Sequence, residues 1–83
     1  MDQEQREGFW YSDREPHLPR LGTILTEHRA ARDLTLRDLS NRTGLAISYL
    51  SDLEHGRSEP SLTTLYKLAR AYGISAPVLL AEA

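Results

Sequence analysis

The sequence predicts an all-α domain of five short helices, preceded by an irregular N-terminal tail. Three observations support this fold class. From Arg20 onward, apolar residues recur at helical spacings, and no segment reads as a strand. Glycines and capping residues divide this region into short segments. Residues 1–18 have no sustained period and end near two prolines, so the predicted domain covers residues 19–83.

The first two predicted helices lie between Arg20 and Gly44. The first spans about residues 19–32, and one face carries Leu21, Ile24, Leu25 and His28. Thr35 can cap the second helix, with Asp38 three residues later as a short-armed capping-box partner. Gly44 ends this helix after only two turns, as a residue in the left-handed conformation does.

The third predicted helix runs from about Ile47 to His55 and stops at Gly56. The following segment "RSEP" is predicted to be a loop, since the proline biases Glu59 away from helix. This helix is therefore short, and its outer face mixes small, polar and apolar side chains.

Serines begin the last two predicted helices. Ser61 caps the fourth helix, and Gly73 terminates it. Its predicted apolar face consists of Leu62, Leu65, Leu68, Ala69 and Tyr72. Ser75 begins the fifth helix, which tolerates Pro77 in its first turn. Its predicted buried residues are Val78, Leu79 and Leu80.

Composition limits the classes of protein to consider. The chain has 83 residues and no cysteine, which favours one small domain without disulfides or thiolate metal sites. No apolar run approaches the roughly 20 residues of a membrane span, and the polar N-terminus is unlike a secretory signal. We therefore expect a soluble, cytoplasmic protein with no membrane association.

The net charge of −2 is unevenly distributed. Residues 1–19 hold five acidic and two basic side chains, whereas residues 20–83 hold eight basic and seven acidic ones, a net charge of +1. An acidic tail thus precedes a near-neutral domain. The overall negative charge alone argues against a purely electrostatic nucleic-acid binder, but that argument rests largely on the tail.

The tail contains "GFWY", in which three aromatic residues are adjacent. Leaving all three in water would expose a large apolar area. They are expected to pack on their own domain or on a dimer mate. A dedicated recognition motif for a protein partner is the alternative.

The second helix, the turn Gly44–Leu45–Ala46 and the third helix form a predicted helix-turn-helix. The wider stretch "LGTILTEHRAARDLTLRDLSNRTGLAISYLSDLEHGRSEPSLTTLYKLARAYGIS" resembles the DNA-binding domain of phage repressors and Cro proteins, the XRE-type family. The resemblance covers about residues 20–80 and is most specific in "YLSDLEHGRSEPSLTTLYKLA".

This resemblance implies that the third helix is a recognition helix, whose outer face enters the major groove. The base-reading positions it implies are Ala46, Ile47, Ser48 and Asp52, flanked by Tyr49 and Ser51. A serine can hydrogen-bond a base edge, Ala46 and Ile47 can meet thymine methyl groups, and Asp52 can accept from cytosine or hold a neighbouring side chain.

Phosphate contacts are implied at two helix N-termini and two arginines. Free backbone N–H groups would face phosphates at Thr35, Leu36 and Arg37, and at Ser61, Leu62 and Thr63. Arg57, directly after the recognition helix, and Arg42, at the end of the second helix, could pair with the backbone of DNA or be solvated surface charges.

The resemblance also implies a structural ion pair between Arg29 and Glu54, which join the first and third helices. Separately, the apolar residues near the C-terminus are dense for a chain end. Ile74, Val78, Leu79 and Leu80 are expected to be shared between the core and a two-fold dimer contact.

Four features depart from the family pattern. The recognition helix lacks Arg, Lys, Gln and Asn, the side chains best suited to bidentate base reading. Glu59 would repel phosphate, Asp33 replaces a usual glycine, and His28 replaces a usual aliphatic residue. We therefore expect low affinity per monomer, with specificity that uses methyl groups, water and DNA shape.

The predicted function is a sequence-specific regulator of transcription that binds double-stranded DNA. The resemblance favours a bacterial or phage repressor acting as a homodimer on a palindromic operator. The alternative is a protein-interaction module of the same fold, an antitoxin or antirepressor, that docks through "GFWY" and the last helix. No cofactor, metal or enzymatic activity is expected, since His17, His28 and His55 are scattered and no catalytic arrangement is apparent.

Overall fold

The computed structural model describes residues 20–83, which form five helices and contain no strand. The helices are α1 (Leu21–Ala31), α2 (Leu36–Thr43), α3 (Ile47–Glu54), α4 (Leu62–Tyr72) and α5 (Ala76–Glu82). The prediction of an all-α, five-helix domain is confirmed. The tail, with its aromatic segment and His17, lies outside the described residues.

Predicted capping residues begin three of these helices. The Thr35 hydroxyl accepts from the Asp38 amide at 3.0 Å, and the Thr35 amide donates to the Asp38 carboxylate at 2.9 Å. These hydrogen bonds hold the pKa of Asp38 below its usual value. The hydroxyls of Ser61 and Ser75 cap α4 and α5 in the same way. The predicted starts of α2, α4 and α5 are confirmed.

One core joins all five helices. Its most deeply buried side chains are Leu25 of α1, Leu39 of α2, Leu50 and Leu53 of α3, Leu68 of α4 and Leu79 of α5. Since every helix contributes, no helix is an independent unit, and the position of α3 depends on its neighbours.

Three leucine and valine positions predicted to be buried are exposed. In the first turn of α4, Thr64 and Leu65 take the buried positions, and Leu62 is 60% exposed. In α5 the buried residues are Ala76 and Leu79, which are three residues apart and lie on the same face. The other apolar residues of this seven-residue helix lie on its solvent-facing sides. Val78 and Leu80 are therefore 49% and 37% exposed.

The end of α1 explains how aspartate occupies a position where a glycine was expected. Asp33 has a φ of 56°, in the left-handed region. Its amide donates to the Ala30 carbonyl at 3.0 Å, and the Leu34 amide donates to the Arg29 carbonyl at 3.2 Å. This is a Schellman ending, in which aspartate is one of the few tolerated side chains. It directs Leu34 into a buried position.

α1 and α3 approach each other closely at Gly22. A Cβ atom at this position would lie 2.5 Å from the Glu54 carbonyl oxygen and 3.1 Å from that of Leu53. Both neighbours are backbone atoms at the end of α3, so neither can rotate away. The absence of a side chain at Gly22 therefore sets the distance between these two helices.

A polar cluster fixes α5 and the end of α4 against α1. The His28 ring stacks on Tyr72 with centroids 5.2 Å apart, and its Nε2 lies 2.6 Å from Glu82 Oε1. Arg32 donates through Nε to the Tyr72 carbonyl at 2.6 Å. Burial raises the pKa of the Tyr72 phenol well above its usual value, and its hydroxyl donates to the Leu25 carbonyl. His28 thus packs through its ring face, as an aliphatic residue would.

Candidate nucleic-acid interface

The turn between α2 and α3 is fixed by three polar side-chain contacts and one glycine. Gly44 has a φ of 78°, which confirms the left-handed end predicted for α2. Ser40 Oγ donates to the Leu45 carbonyl at 2.6 Å. Thr43 Oγ1 accepts from the Leu45 amide at 3.1 Å and donates to the Leu39 carbonyl at 2.8 Å. Both polar groups of Leu45 are satisfied, so the turn has a defined angle.

The inner face of α3 is anchored by leucines and by one carboxylate. Leu50 and Leu53 are almost fully buried. Beside them, Glu54 accepts from Arg29 Nε at 2.7 Å, from Arg29 Nη2 at 3.0 Å and from Thr26 Oγ1 at 3.1 Å. The rotation of α3 about its axis is therefore set by contacts with α1.

The Arg29–Glu54 pair is shielded from water. The Glu54 side chain is 6% exposed and that of Arg29 is 20% exposed. The hydrogen bonds that Arg29 donates to Glu54 raise the pKa of Arg29, which stays charged. Arg29 also donates through Nη1 to the Leu34 carbonyl at 2.8 Å, which ties the end of α1 to the same network. Bidentate geometry and extra hydrogen bonds are what a buried ion pair requires.

The outer face of α3 is uncovered at its N-terminal end. Ala46, Ile47 and Ser48 are all exposed, and Ile47 has 37% of its surface in contact with solvent. Ala46 is the N-cap residue and makes no side-chain cap, so amides of the first turn remain without a side-chain acceptor. Apolar methyl groups, one hydroxyl and free amides thus project from the same turn.

Tyr49 faces a different direction from these residues. It is partly buried against the core, and its hydroxyl lies 3.3 Å from Thr64 Oγ1 in the first turn of α4. Tyr49 thus connects the first turns of α3 and α4, and its position beside the base-reading residues stays a prediction. Ser51, the other flanking residue, is half-buried one turn further along α3.

Asp52 and Arg57 form an exposed ion pair at the C-terminal end of α3. Arg57 Nε donates to Asp52 Oδ1 at 3.0 Å, with the side chains 58% and 42% exposed. The Arg57 amide also donates to the Asp52 carbonyl at 2.8 Å. Of the two roles considered for Asp52, the geometry supports holding a neighbouring side chain.

The positions expected to contact phosphate fall into two groups. Thr35, Arg37, Ser61 and Thr63 are exposed, while Leu36 packs against the core and offers only its amide. Arg42 is different, because its Nη1 lies 3.4 Å from the Ala71 carbonyl near the C-terminal end of α4. Ser61 and Thr63 are at the opposite end of that helix, so Arg42 does not join them.

Several residues that position the interface were not identified from the sequence. They are Gly22, Thr26, Ser40 and Thr43. Short polar residues inside a helix often bond the backbone of their own helix, as Thr26 and Thr43 do, which gives no signal of a tertiary role. For Gly22, the one signal in the sequence was its position inside a predicted helix, which often indicates close packing against another segment.

Residues 20–83 contain neither a membrane-spanning helix nor a cluster of metal ligands. None of these helices is long and apolar enough to cross a membrane. No group of three or more His, Asp or Glu side chains in this part of the chain has the geometry to hold a metal ion.

Comparisons with known proteins agree with this geometry. The helix-turn-helix family model HTH_3 matches residues 25–79. DdrOP3, an HTH-type transcriptional regulator of Deinococcus deserti, is 48% identical over 56 residues, which are 68% of this chain and 43% of DdrOP3. This chain thus spans less than half the length of that relative.

Solved structures share the fold at moderate sequence identity. ClgR, the clp gene regulator of Corynebacterium glutamicum, matches with a TM-score of 0.70 and 39% identity over 75% of this chain and 66% of that chain. SinR of Bacillus subtilis, a master regulator for biofilm formation crystallised with DNA, matches with a TM-score of 0.68 and 30% identity. That match covers 72% of this chain and 97% of the SinR chain in the complex with DNA.

Proposed function

The chain belongs to the XRE-type helix-turn-helix family HTH_3, and from this premise we propose that it is a sequence-specific, DNA-binding regulator of transcription. The observation that carries the proposal is the asymmetry of α3. Its inner face is locked by Leu50, Leu53 and Glu54, while its first turn presents Ile47 and Ser48 to solvent. An exposed isoleucine gains nothing from water, whereas thymine methyl groups in a major groove would cover it.

Base reading in this proposal is done by the first turn of α3. Ala46 and Ile47 contact thymine methyl groups, and Ser48 donates to or accepts from a base edge. These three residues lie at the end of the helix that enters the groove most deeply. Because none of them makes a bidentate contact, part of the specificity comes from the shape and deformability of the DNA.

Phosphate binding is assigned to residues around this turn. The amides of Leu36 and Arg37 at the start of α2, and of Leu62 and Thr63 at the start of α4, would donate to phosphate oxygens. Arg57 adds a charge, since only its Nε is used by Asp52 and its terminal nitrogens make no hydrogen bond within residues 20–83. Contacts of this kind position the protein without reading sequence.

We further propose that the protein represses transcription as a homodimer on a palindromic operator. Two copies related by a two-fold axis would read two half-sites about one helical turn apart. The exposed residues Val78 and Leu80 of α5 supply an apolar contact surface, with Ile74 partly buried beside the core. Leu79 is 0% exposed, so it supports α5 from within the core and is removed from the expected dimer contact.

Replacing Val78 and Leu80 together by serine is expected to convert the dimer into a folded monomer. Both side chains are exposed in a single chain, so their removal leaves the core intact. Sedimentation equilibrium measures the change in mass, and circular dichroism checks the fold. Tyr66→Ser, at another exposed apolar position, is the matched control and should remain dimeric. A double variant that stays dimeric would exclude α5 as the dimer surface.

Variants of the interface are expected to separate sequence preference from affinity. The operator is first obtained by selecting bound fragments from random or genomic DNA. Ile47→Ala and Ser48→Ala should each lose about 1–3 kcal/mol at one base-pair position and relax the preference there. Arg57→Ala should weaken binding to all duplexes alike and reduce the slope of log K against log salt by roughly one for each protomer bound. Salt titrations on operator and scrambled duplexes measure both effects.

Arg70→Ala is the control for the salt titration, because Arg70 is exposed near the far end of α4. Its slope should equal that of the wild type. If Ile47→Ala and Ser48→Ala leave the ratio of operator to scrambled affinity unchanged, α3 does not read bases. The protein-interaction module then becomes the better function, and it predicts co-purification with a protein and no salt-dependent DNA binding.

A further inference from the structure

His55 directly follows α3, and one of its ring nitrogens is already hydrogen-bonded. Its Nδ1 lies 2.8 Å from the Ser51 carbonyl oxygen and 3.4 Å from Ser51 Oγ. A carbonyl oxygen only accepts, so the proton of the ring must be on Nδ1. This contact fixes both the tautomer and the orientation of the imidazole, and the Ser51 carbonyl also accepts from the His55 amide at 3.0 Å.

The remaining nitrogen, Nε2, changes character with protonation. In the neutral ring with Nδ1–H, Nε2 is an acceptor, and in the charged ring it is a donor. The Ser51 contact is compatible with both states, because Nδ1 carries a proton in each. One exposed atom can thus switch from repelling an anion to binding it without a change in ring orientation.

The position of His55 places this atom on the outward side of α3. His55 follows Ser51 by four residues and Ile47 by eight, spacings that keep all three on one side of a helix. Ile47 starts the helix and would lie deepest in the groove, whereas His55 caps its other end. A helix whose N-terminus enters a groove about 12 Å wide has its C-terminal end nearer the rim, where the phosphates lie.

We propose that His55 is a proton-dependent phosphate contact, which makes the affinity for DNA increase as the pH falls through the range in which histidine titrates. The proposal rests on the proposed function and adds a regulatory input to the same surface. When His55 is protonated, its Nε2–H donates to a phosphate oxygen and one more phosphate is neutralised. When it is neutral, this contact is lost and an acceptor faces the anion.

The charged groups around His55 allow this role. Asp52 and Arg57 neutralise one another at 3.0 Å, and Glu54 is engaged by Arg29. Glu59 lines the same shallow groove between α1, α3 and the following loop, and it is in no ion pair within residues 20–83. No arginine or lysine side chain lines that groove, so no basic group there would compete with His55 for a phosphate.

His28 provides a matched control in the same domain. Its Nε2 is held by Glu82 at 2.6 Å and its ring stacks on Tyr72, where α1 meets α4 and α5. It is therefore remote from the exposed turn of α3, and replacing it removes one titrating histidine without touching the proposed interface.

The test measures affinity for a selected operator duplex and a scrambled duplex at pH 6 and pH 8, each over a series of salt concentrations. For each protomer bound, wild-type protein should bind both duplexes about three- to tenfold more tightly at pH 6, with a salt slope larger by about 0.9 than at pH 8. His55→Gln should have the same affinity and slope at both pH values. His55→Lys should bind at pH 8 about as tightly as the wild type binds at pH 6.

His28→Gln should retain the full dependence on pH. The inference is overturned if wild-type affinity does not change between pH 6 and pH 8, or if His55→Gln still changes while remaining folded by circular dichroism. In either case DNA binding itself stands. Absence of DNA binding at both pH values would instead overturn the proposed function, and the inference with it.

Discussion

Glu54→Ala is expected to lower the free energy of unfolding by roughly 3–5 kcal/mol, the range for removing one partner of a buried ion pair. The substitution leaves the Arg29 guanidinium 20% exposed and without the acceptor of two hydrogen bonds. It also removes one of the two acceptors of the Thr26 hydroxyl and leaves only the Gly22 carbonyl. The free energy of unfolding of small domains is only about 5–15 kcal/mol, so this variant should lose a large part of it. Chemical denaturation at neutral pH measures the change.

Arg29→Met is the complementary variant and is expected to be at least as damaging. It leaves a Glu54 carboxylate that is 6% exposed and has only Thr26 as a remaining side-chain donor within residues 20–83. Chemical denaturation at neutral pH, under the conditions used for Glu54→Ala, measures the loss.

The double variant Arg29→Met, Glu54→Leu should cost far less than the sum of the two single losses, since no unpaired charge remains. The exposed pair of Asp52 and Arg57 supplies the control: Arg57→Met should change the stability by about 0–1 kcal/mol. If Glu54→Ala cost no more than Arg57→Met, the Arg29–Glu54 pair would not hold α3 in place.

Gly22→Ala is expected to destabilise the domain by roughly 1–3 kcal/mol, although glycine to alanine within a helix normally stabilises by about 0.5–1 kcal/mol. The sign is reversed because the new methyl group would lie 2.5 Å from the Glu54 carbonyl oxygen. Relief requires a shift of the whole end of α3. Thermal or chemical denaturation measures the effect.

Thr23→Ala is the appropriate comparison for Gly22→Ala, since Thr23 is the next residue along α1 and is exposed. It introduces the same side chain without a close neighbour, so it should leave stability unchanged or slightly increase it. A Gly22→Ala variant as stable as Thr23→Ala would show that α1 and α3 can separate at little cost. The same pair of variants shows whether a shift of α3 also lowers DNA affinity.

Most of the fold could be predicted from the sequence because its signals are local. Thr35 with Asp38, Ser61 and Ser75 cap helices through hydrogen bonds within four residues. Gly44 and Gly73 end helices because they adopt positive φ values that other residues resist. Such contacts depend on neighbours in the chain, so they are visible without a structure.

The prediction of burial was less accurate where a helix is short. Leu62, Val78 and Leu80 have the spacing of buried residues but are exposed. Periodicity defines a face only over several turns, and a seven-residue α5 or the first turn of α4 allows more than one choice of inner face. Packing against the other helices made that choice, which placed Leu79 in the core and its neighbours outside.

The sequence by itself determined five helices, their caps, the helix-turn-helix and the short outer face of α3, because each depends on residues close together in the chain. Only the tertiary structure decided how α3 is held. Gly22 and Thr26 meet Glu54 across about thirty positions. The same holds for the contact between the hydroxyls of Tyr49 and Thr64. Each contact requires atoms to be placed to within a few tenths of an ångström. That placement exists only once the helices have packed.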